Sequence, residues 1–149
     1  RLLSLPHAHT EHVYLLKNIK PKVVELSFSF WGLSAHYRYG EIIGEVCRQS
    51  EKRVAVVASG DLSHRLTLDA PAGYSAQGKK FDQKLIDLLS KKDVGGILEM
   101  KEEFIKEAGE CGLRSFVILL GILKGKYDFK KLSYEGPFGG GYLVARLVC

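Results

Sequence analysis

Apolar positions along the chain change period several times, and each change marks an element. Over residues 22–30 they alternate, with Leu26, Phe28 and Phe30 on one side and Glu25, Ser27 and Ser29 on the other, which predicts a strand with one wetter face. Trp31-Gly32-Leu33 turns the chain, Ser34 reads as an N-cap, and residues 35–49 form a helix with Tyr39, Ile42, Ile43 and Val46 at core spacing. Residues 54–58 are a continuous run of small and β-branched apolar side chains that stops at Ser59-Gly60, as a strand buried on both faces does. Residues 67–75 are a loop around Pro71-Ala72-Gly73. The spacing of Phe81, Leu85, Ile86, Leu88 and Leu89 then predicts an amphipathic helix over 79–90. Two short helical pieces follow at 93–100 and 102–107. Gly109-Glu110-Cys111-Gly112 breaks the pattern before a buried helix over 113–123, and strands at 131–134 and 142–148 flank a glycine-rich turn. No helix or Gly-Lys-Ser/Thr follows those glycines, so they serve a tight turn and not a phosphate loop. The expected class is α/β, a mixed or mostly parallel sheet flanked by helices on both sides, in one domain.

Composition narrows the setting. The 149 residues are 46% apolar and 26% charged, which suits a soluble globular chain. No apolar run reaches membrane-spanning length, since Arg114 and Ser115 interrupt the longest candidate. Cys47, Cys111 and Cys149 are odd in number and far apart, which speaks against a disulfide framework and for a reducing cytoplasm. A net charge of +5 admits an anionic partner, but basic residues are mixed with acids over 79–106, which argues against nucleic acid. The chain begins at Arg1 and its one methionine is Met100, so it is expected to be processed or to lack its front.

Candidate chemistry gathers after the 54–58 run, where Asp61, Ser63, His64 and Arg65 follow within a few residues. Open α/β sheets place ligands at that edge, although Asp and Ser are also ordinary turn formers. His7, His9 and His12 form an H-x-H-x-x-H cluster. Helical geometry does not bring all three to one side, so a single functional histidine is the better reading than a three-imidazole metal site. Glu45 lies at the edge of its helix's apolar stripe and is either solvated and ion-paired or directed into a pocket. Arg114 either anchors an anionic substrate group or pairs with Glu110. Cys111 is either reactive or packed, and packing is the commoner role. Trp31 and Tyr74 read as packing residues before pocket residues, and His36 reads as a surface residue.

Three stretches carry a resemblance: Val56-Val-Ala-Ser-Gly-Asp-Leu-Ser-His-Arg-Leu66, Gly109-Glu-Cys-Gly-Leu-Arg-Ser-Phe116 and Leu132-Ser-Tyr-Glu-Gly-Pro-Phe138. Together they are similar to the class III extradiol ring-cleavage dioxygenases, the LigB-like superfamily, and within it to the AmmeMemoRadiSam-associated and Memo-like branch. The resemblance covers essentially the whole chain and implies the C-terminal half of an incomplete LigB-like domain. The other half would supply two histidine ligands. It implies non-haem Fe(2+), with Zn2+ the alternative, and an aromatic diol cleaved with O2. His7 falls at the acid/base histidine, although Pro6 and Ala8 replace the aspartate and glycine that flank it in the family. Glu45 or His64 falls at a metal ligand, and the choice stays open. Asp61 or Ser63 would orient His64, and Glu110 and Arg114 would line the pocket. By the same resemblance the isolated chain would be inactive and hold iron weakly or not at all. An uncovered apolar edge would then favour a homo-oligomer or a complementing N-terminal half. The alternative is a non-catalytic Memo-like module that binds a metal or a partner.

Overall fold

Residues 22–149 are described by the structure, a computed structural model. Among them are α1 (Leu33–Gln49), α2 (Ala76–Lys91), α3 (Val94–Leu98), α4 (Glu102–Ala108) and α5 (Leu113–Ile122). They are followed by an antiparallel hairpin of β1 (Asp128–Glu135) and β2 (Tyr142–Val148), joined through a 3-10 turn at Pro137–Gly139. The chain is α/β, with the expected helices and both C-terminal strands present. No helix among the described residues is long and apolar enough to cross a membrane.

Glycines decide how α1 meets α5. Its buried residues are His36, Gly40 and Gly44, while Ile42 and Val46, expected in the core, are exposed. A Cβ on Gly40 would overlap the Ile118 carbonyl, and one on Gly121 would overlap the Tyr37 carbonyl. One on Gly44 would stand 2.6 Å from the Ile122 oxygen. The two helices therefore touch backbone to backbone, with Leu33 and Tyr37 packed against the core and Ile42 and Val46 turned away. The helix also starts one residue before the expected Ser34 cap: the Gly32 carbonyl accepts from Ala35 and His36 amides. His36 is buried and not a surface residue. Its Nδ1 lies 3.0 Å from the Gly32 carbonyl, and its Nε2 accepts the Ser29 amide at 3.1 Å.

The core lies between α2, α5 and the inner face of the hairpin. Phe81, Leu85 and Leu89 of α2 pack with Leu113, Val117 and Leu120 of α5, closed by Leu62, Ile97 and Tyr127. Ser75 caps α2 by accepting the Gln77 amide, and Lys92 ends it in the left-handed region. Tyr127 is buried, and its hydroxyl donates to the Leu89 carbonyl at 2.9 Å. Removing that bond with Tyr127→Phe is expected to cost about 1 kcal/mol at neutral pH in a urea titration. Burial also pushes the Tyr127 hydroxyl up to about 12 from its ordinary 10.0. Between those values the unfolded chain gives up a proton that the folded chain keeps, so stability falls as pH rises through that window. Part of that alkaline slope should disappear in the phenylalanine variant.

The sheet differs from expectation. Residues 22–30 and 54–58 join no strand ladder among the described residues, and Val24, Phe30 and Val57 are 81%, 96% and 62% exposed. An apolar run becomes a strand only where a second backbone runs beside it, and no described segment pairs with these two. Pairing next to 54–58 begins but stops short: Leu62 and Leu66 amides donate to the Gly141 and Gly139 carbonyls, and the Gly141 amide donates to the Ser63 carbonyl. Beyond that point an apolar cleft of 70 Å³ is lined by Ala58, Phe116, Leu119, Leu143, Ala145 and Leu147. The run expected to be buried on both faces is thus largely exposed. Likewise the hairpin is covered on one face, through Phe129, Leu143 and Leu147, while Lys130, Leu132, Val144 and Arg146 face outward.

Candidate metal centre

Two chain segments 50 residues apart are pressed together by glycine. A Cβ on Gly60 would overlap the Cα of Gly112, and one on Gly112 would stand 2.8 Å from the Gly60 carbonyl carbon. Gly60 itself has φ 148°, a conformation that disfavours a side chain. With that approach, Cys111 and Gly112 amides donate to the Asp61 carbonyl at 3.3 and 2.9 Å, and the Asp61 amide donates to the Cys111 sulfur at 3.2 Å. The segment after the 54–58 run is thereby fastened to the N-terminal end of α5.

Side chains converge there. His64 Nε2 lies 3.1 Å from Asp61 Oδ2 and 3.9 Å from Cys111 Sγ, and one donor atom from each residue falls within 4.8 Å of the other two. The same ring nitrogen faces both partners. In a nucleophilic relay the acid and the nucleophile hold opposite nitrogens of the imidazole, so this arrangement is not such a relay. It is a cluster of a carboxylate, an imidazole and a thiol open to solvent on the cysteine side. Burial, followed by the carboxylates of Asp61 and Glu110, pushes the Cys111 thiol above its ordinary range, so a metal would have to displace its proton.

The donor set fits a divalent ion. With bonds of about 2.0 Å to nitrogen or oxygen and about 2.3 Å to sulfur, tetrahedral ligand atoms stand roughly 3.3–3.5 Å apart. The imidazole's separations of 3.1 and 3.9 Å bracket that spacing, and small side-chain movements would draw the group, which spans up to 4.8 Å, onto an ion. A second imidazole is absent from the cluster among the described residues.

The other candidates take distinct places. Ser63 is buried and directed away from His64: its hydroxyl donates to the Ala108 carbonyl at 2.7 Å and accepts the Arg65 amide at 3.0 Å. Glu110 caps α5 by accepting the Leu113 amide, and its side chain is 3% exposed. Burial pushes its carboxyl above the ordinary range, against the pull of that amide and of Arg114. Arg114 lies 3.8 Å from Glu110, the pairing that its position suggested, while its Nε is buried without an acceptor. Glu45 is not brought to the cluster. It projects from α1 beside the far end of α5, about 15 Å of helix away, and is ion-paired to Arg48 at 3.2 Å and Lys124 at 3.8 Å. Trp31 and Tyr74 are both exposed. His7, with His9 and His12, lies outside the described residues.

Sequence reasoning undervalued Cys111 and passed over Asp82 and Tyr134, which lie beneath the cluster. Asp82 accepts the Ser63 amide at 2.8 Å and the Tyr134 hydroxyl at 2.7 Å. The signal for Cys111 was present in the glycines at 60 and 112, which permit the close approach.

Comparison with known proteins bears on this geometry. A family model described as the catalytic LigB subunit of aromatic ring-opening dioxygenase matches residues 14–145. A protein of Clostridium acetobutylicum, Protein CA_C1420, is 39% identical over 127 residues, which cover 85% of this chain and 27% of that protein. The chain thus spans about a quarter of the length of the curated relative it matches.

Proposed function

Because the chain belongs to the LigB family, that of the catalytic subunit of aromatic ring-opening dioxygenase, we propose that it carries part of a metal-dependent site for extradiol cleavage of a catechol-like diol with O2. The convergence of Asp61, His64 and Cys111 within 4.8 Å is the observation that carries this reading. Of the two ligand candidates the proposal takes His64, with Asp61 and Cys111 beside it and the remaining imidazoles supplied by a complementing N-terminal segment. Ferrous iron, when bound there, would supply open positions for the diol and for dioxygen. The chain's own residues do the rest. Asp61 restrains the imidazole, and the buried Glu110 carboxylate with the partly exposed Arg114 forms a polar pair next to Cys111 in the chain. His7 is the proposed acid/base residue, a task suited to an imidazole that titrates near neutrality.

A second reading has an observation of its own. A thiol in the cluster and one imidazole instead of two favour Zn2+ over Fe2+. That composition suits a Memo-like module that binds metal or a partner without opening rings.

Metal titration separates the two, followed by oxygen uptake with catechols on this chain and on the chain extended N-terminally. The dioxygenase reading expects oxygen consumption and tight Fe2+ only in the extended protein. Binding of Zn2+ with no oxygen uptake toward any diol supports the module. Cys111→Ser is expected to weaken Zn2+ by roughly 10- to 100-fold and Fe2+ by much less, because a hydroxyl is a poor substitute for a soft thiolate.

A further inference from the structure

Asp82 belongs to neither the donor cluster nor its rim. It sits on α2 with no exposed surface, and no cation lies within ion-pair distance among the described residues. A carboxylate so placed is a poor choice for stability alone, because removal from water costs several kcal/mol and neutral donors return only part of it. What it does make are two short, well-directed hydrogen bonds. One oxygen accepts the backbone amide of Ser63, the residue immediately before His64, and the other accepts the hydroxyl of Tyr134 on β1. The surroundings are shaped to this carboxylate: a Cβ on Gly141 would overlap it, and a Cβ on Gly78 would overlap the hydroxyl of Ser63. Ser63 is gripped from its other side by Ala108. Asp82 thus joins α2, β1 and the segment that carries Asp61 and His64.

We propose that Asp82 is a positioning residue that fixes the backbone at Ser63 and so holds the His64 imidazole against Asp61 and Cys111. The proposal rests on the metal-site reading above for its purpose, and on the buried hydrogen bonds for its mechanism. A leucine of similar size would fill the space but leave the Ser63 amide and the Tyr134 hydroxyl unpaired, and the segment free to shift. Asparagine keeps the geometry: its carbonyl accepts the Ser63 amide, and its NH2 donates to the Tyr134 oxygen, which becomes the acceptor.

The test compares Asp82→Asn, Asp82→Ala and Tyr134→Phe with the unaltered chain by two readouts. The first is Co2+ titration followed by the visible bands of the bound ion. The second is 15N NMR of the His64 ring without metal, assigned with His64→Gln. Expected is a loss of roughly 10- to 100-fold in Co2+ affinity for Asp82→Ala, in line with removal of outer hydrogen-bonding partners at metal sites. Near-native affinity is expected for Asp82→Asn, with Tyr134→Phe between them. The His64 ring should show one tautomer in the unaltered and asparagine chains and an average of two in the alanine chain. Should the alanine chain fail to fold, the ordering of Tyr134→Phe below Asp82→Asn decides. Equal affinity in all variants, or an asparagine chain as impaired as the alanine one, overturns the proposal. The Co2+ titration is run on the chain and on its N-terminally extended form; if neither binds Co2+, the metal-site reading fails separately, and unchanged His64 ring spectra across the series then overturn the positioning role.

Discussion

Gly121→Ala is expected to destabilise the fold by about 3 kcal/mol or more, the upper part of the range for overpacking a close-packed interior. A single methyl has this effect because the obstacle is backbone. The new Cβ would overlap the carbonyl of Tyr37 and stand 3.0 Å from the Glu41 nitrogen, and neither can rotate away as a side chain would. To admit the methyl, α1 must move bodily off α5 and give up its contact along Gly40 and Gly44. Chemical denaturation followed by circular dichroism measures the loss. Gly32→Ala is the control, since nothing stands within 4 Å of a Cβ there, and it should change stability by no more than about 1 kcal/mol. A Gly121→Ala chain as stable as the parent would mean that the helices are not in backbone contact.

His64→Ala is expected to weaken divalent metal binding by at least about 100-fold, beyond the usual effect of losing an outer partner. Its Nε2 is the atom shared by both other donors, so its removal leaves Asp61 and Cys111 without the group between them. The fold should tolerate the change, because the ring is partly exposed and its neighbours Leu62 and Ser63 hold the segment through Gly141, Ala108 and Asp82. Isothermal titration with Zn2+ beside a thermal melt separates the two quantities. An affinity equal to the parent's would remove His64 from the site.

How much of this was legible before the structure depends on whether the deciding atoms are present in the sequence pattern. Helices α2 and α5 and the terminal hairpin announce themselves through large side chains at regular spacing, and they occur where that spacing put them. The inner face of α1 was misjudged for the opposite reason. Its contact is made by the missing side chains of Gly40 and Gly44, while Ile42 and Val46 weigh heavily in any apolar count and lie outside. The runs at 22–30 and 54–58 were read by composition, but a ladder needs a neighbour, and pairing is a property of two segments. Asp61 and His64 were visible as an i, i+3 pair after an apolar run. Asp82 looked like any acid on an amphipathic helix, because its partners Ser63 and Tyr134 stand 19 and 52 residues away. Cys111 met His64 across 47 residues, a distance that no local pattern spans.

The pair of amide bonds from Cys111 and Gly112 to the Asp61 carbonyl has a consequence for how the molecule breathes. They clasp the two ends of a stretch containing α2, α3 and α4, in the manner of a buckle on a belt. That stretch cannot peel away from the rest without undoing the clasp, and the clasp is where the donor atoms stand. Opening of this lobe and dissolution of the cluster are therefore one event, and an ion seated there would lock the lobe shut in proportion to its own affinity. Amide hydrogens of Cys111 and Gly112 should exchange with the slow core of α2, and not at the faster pace of a surface turn.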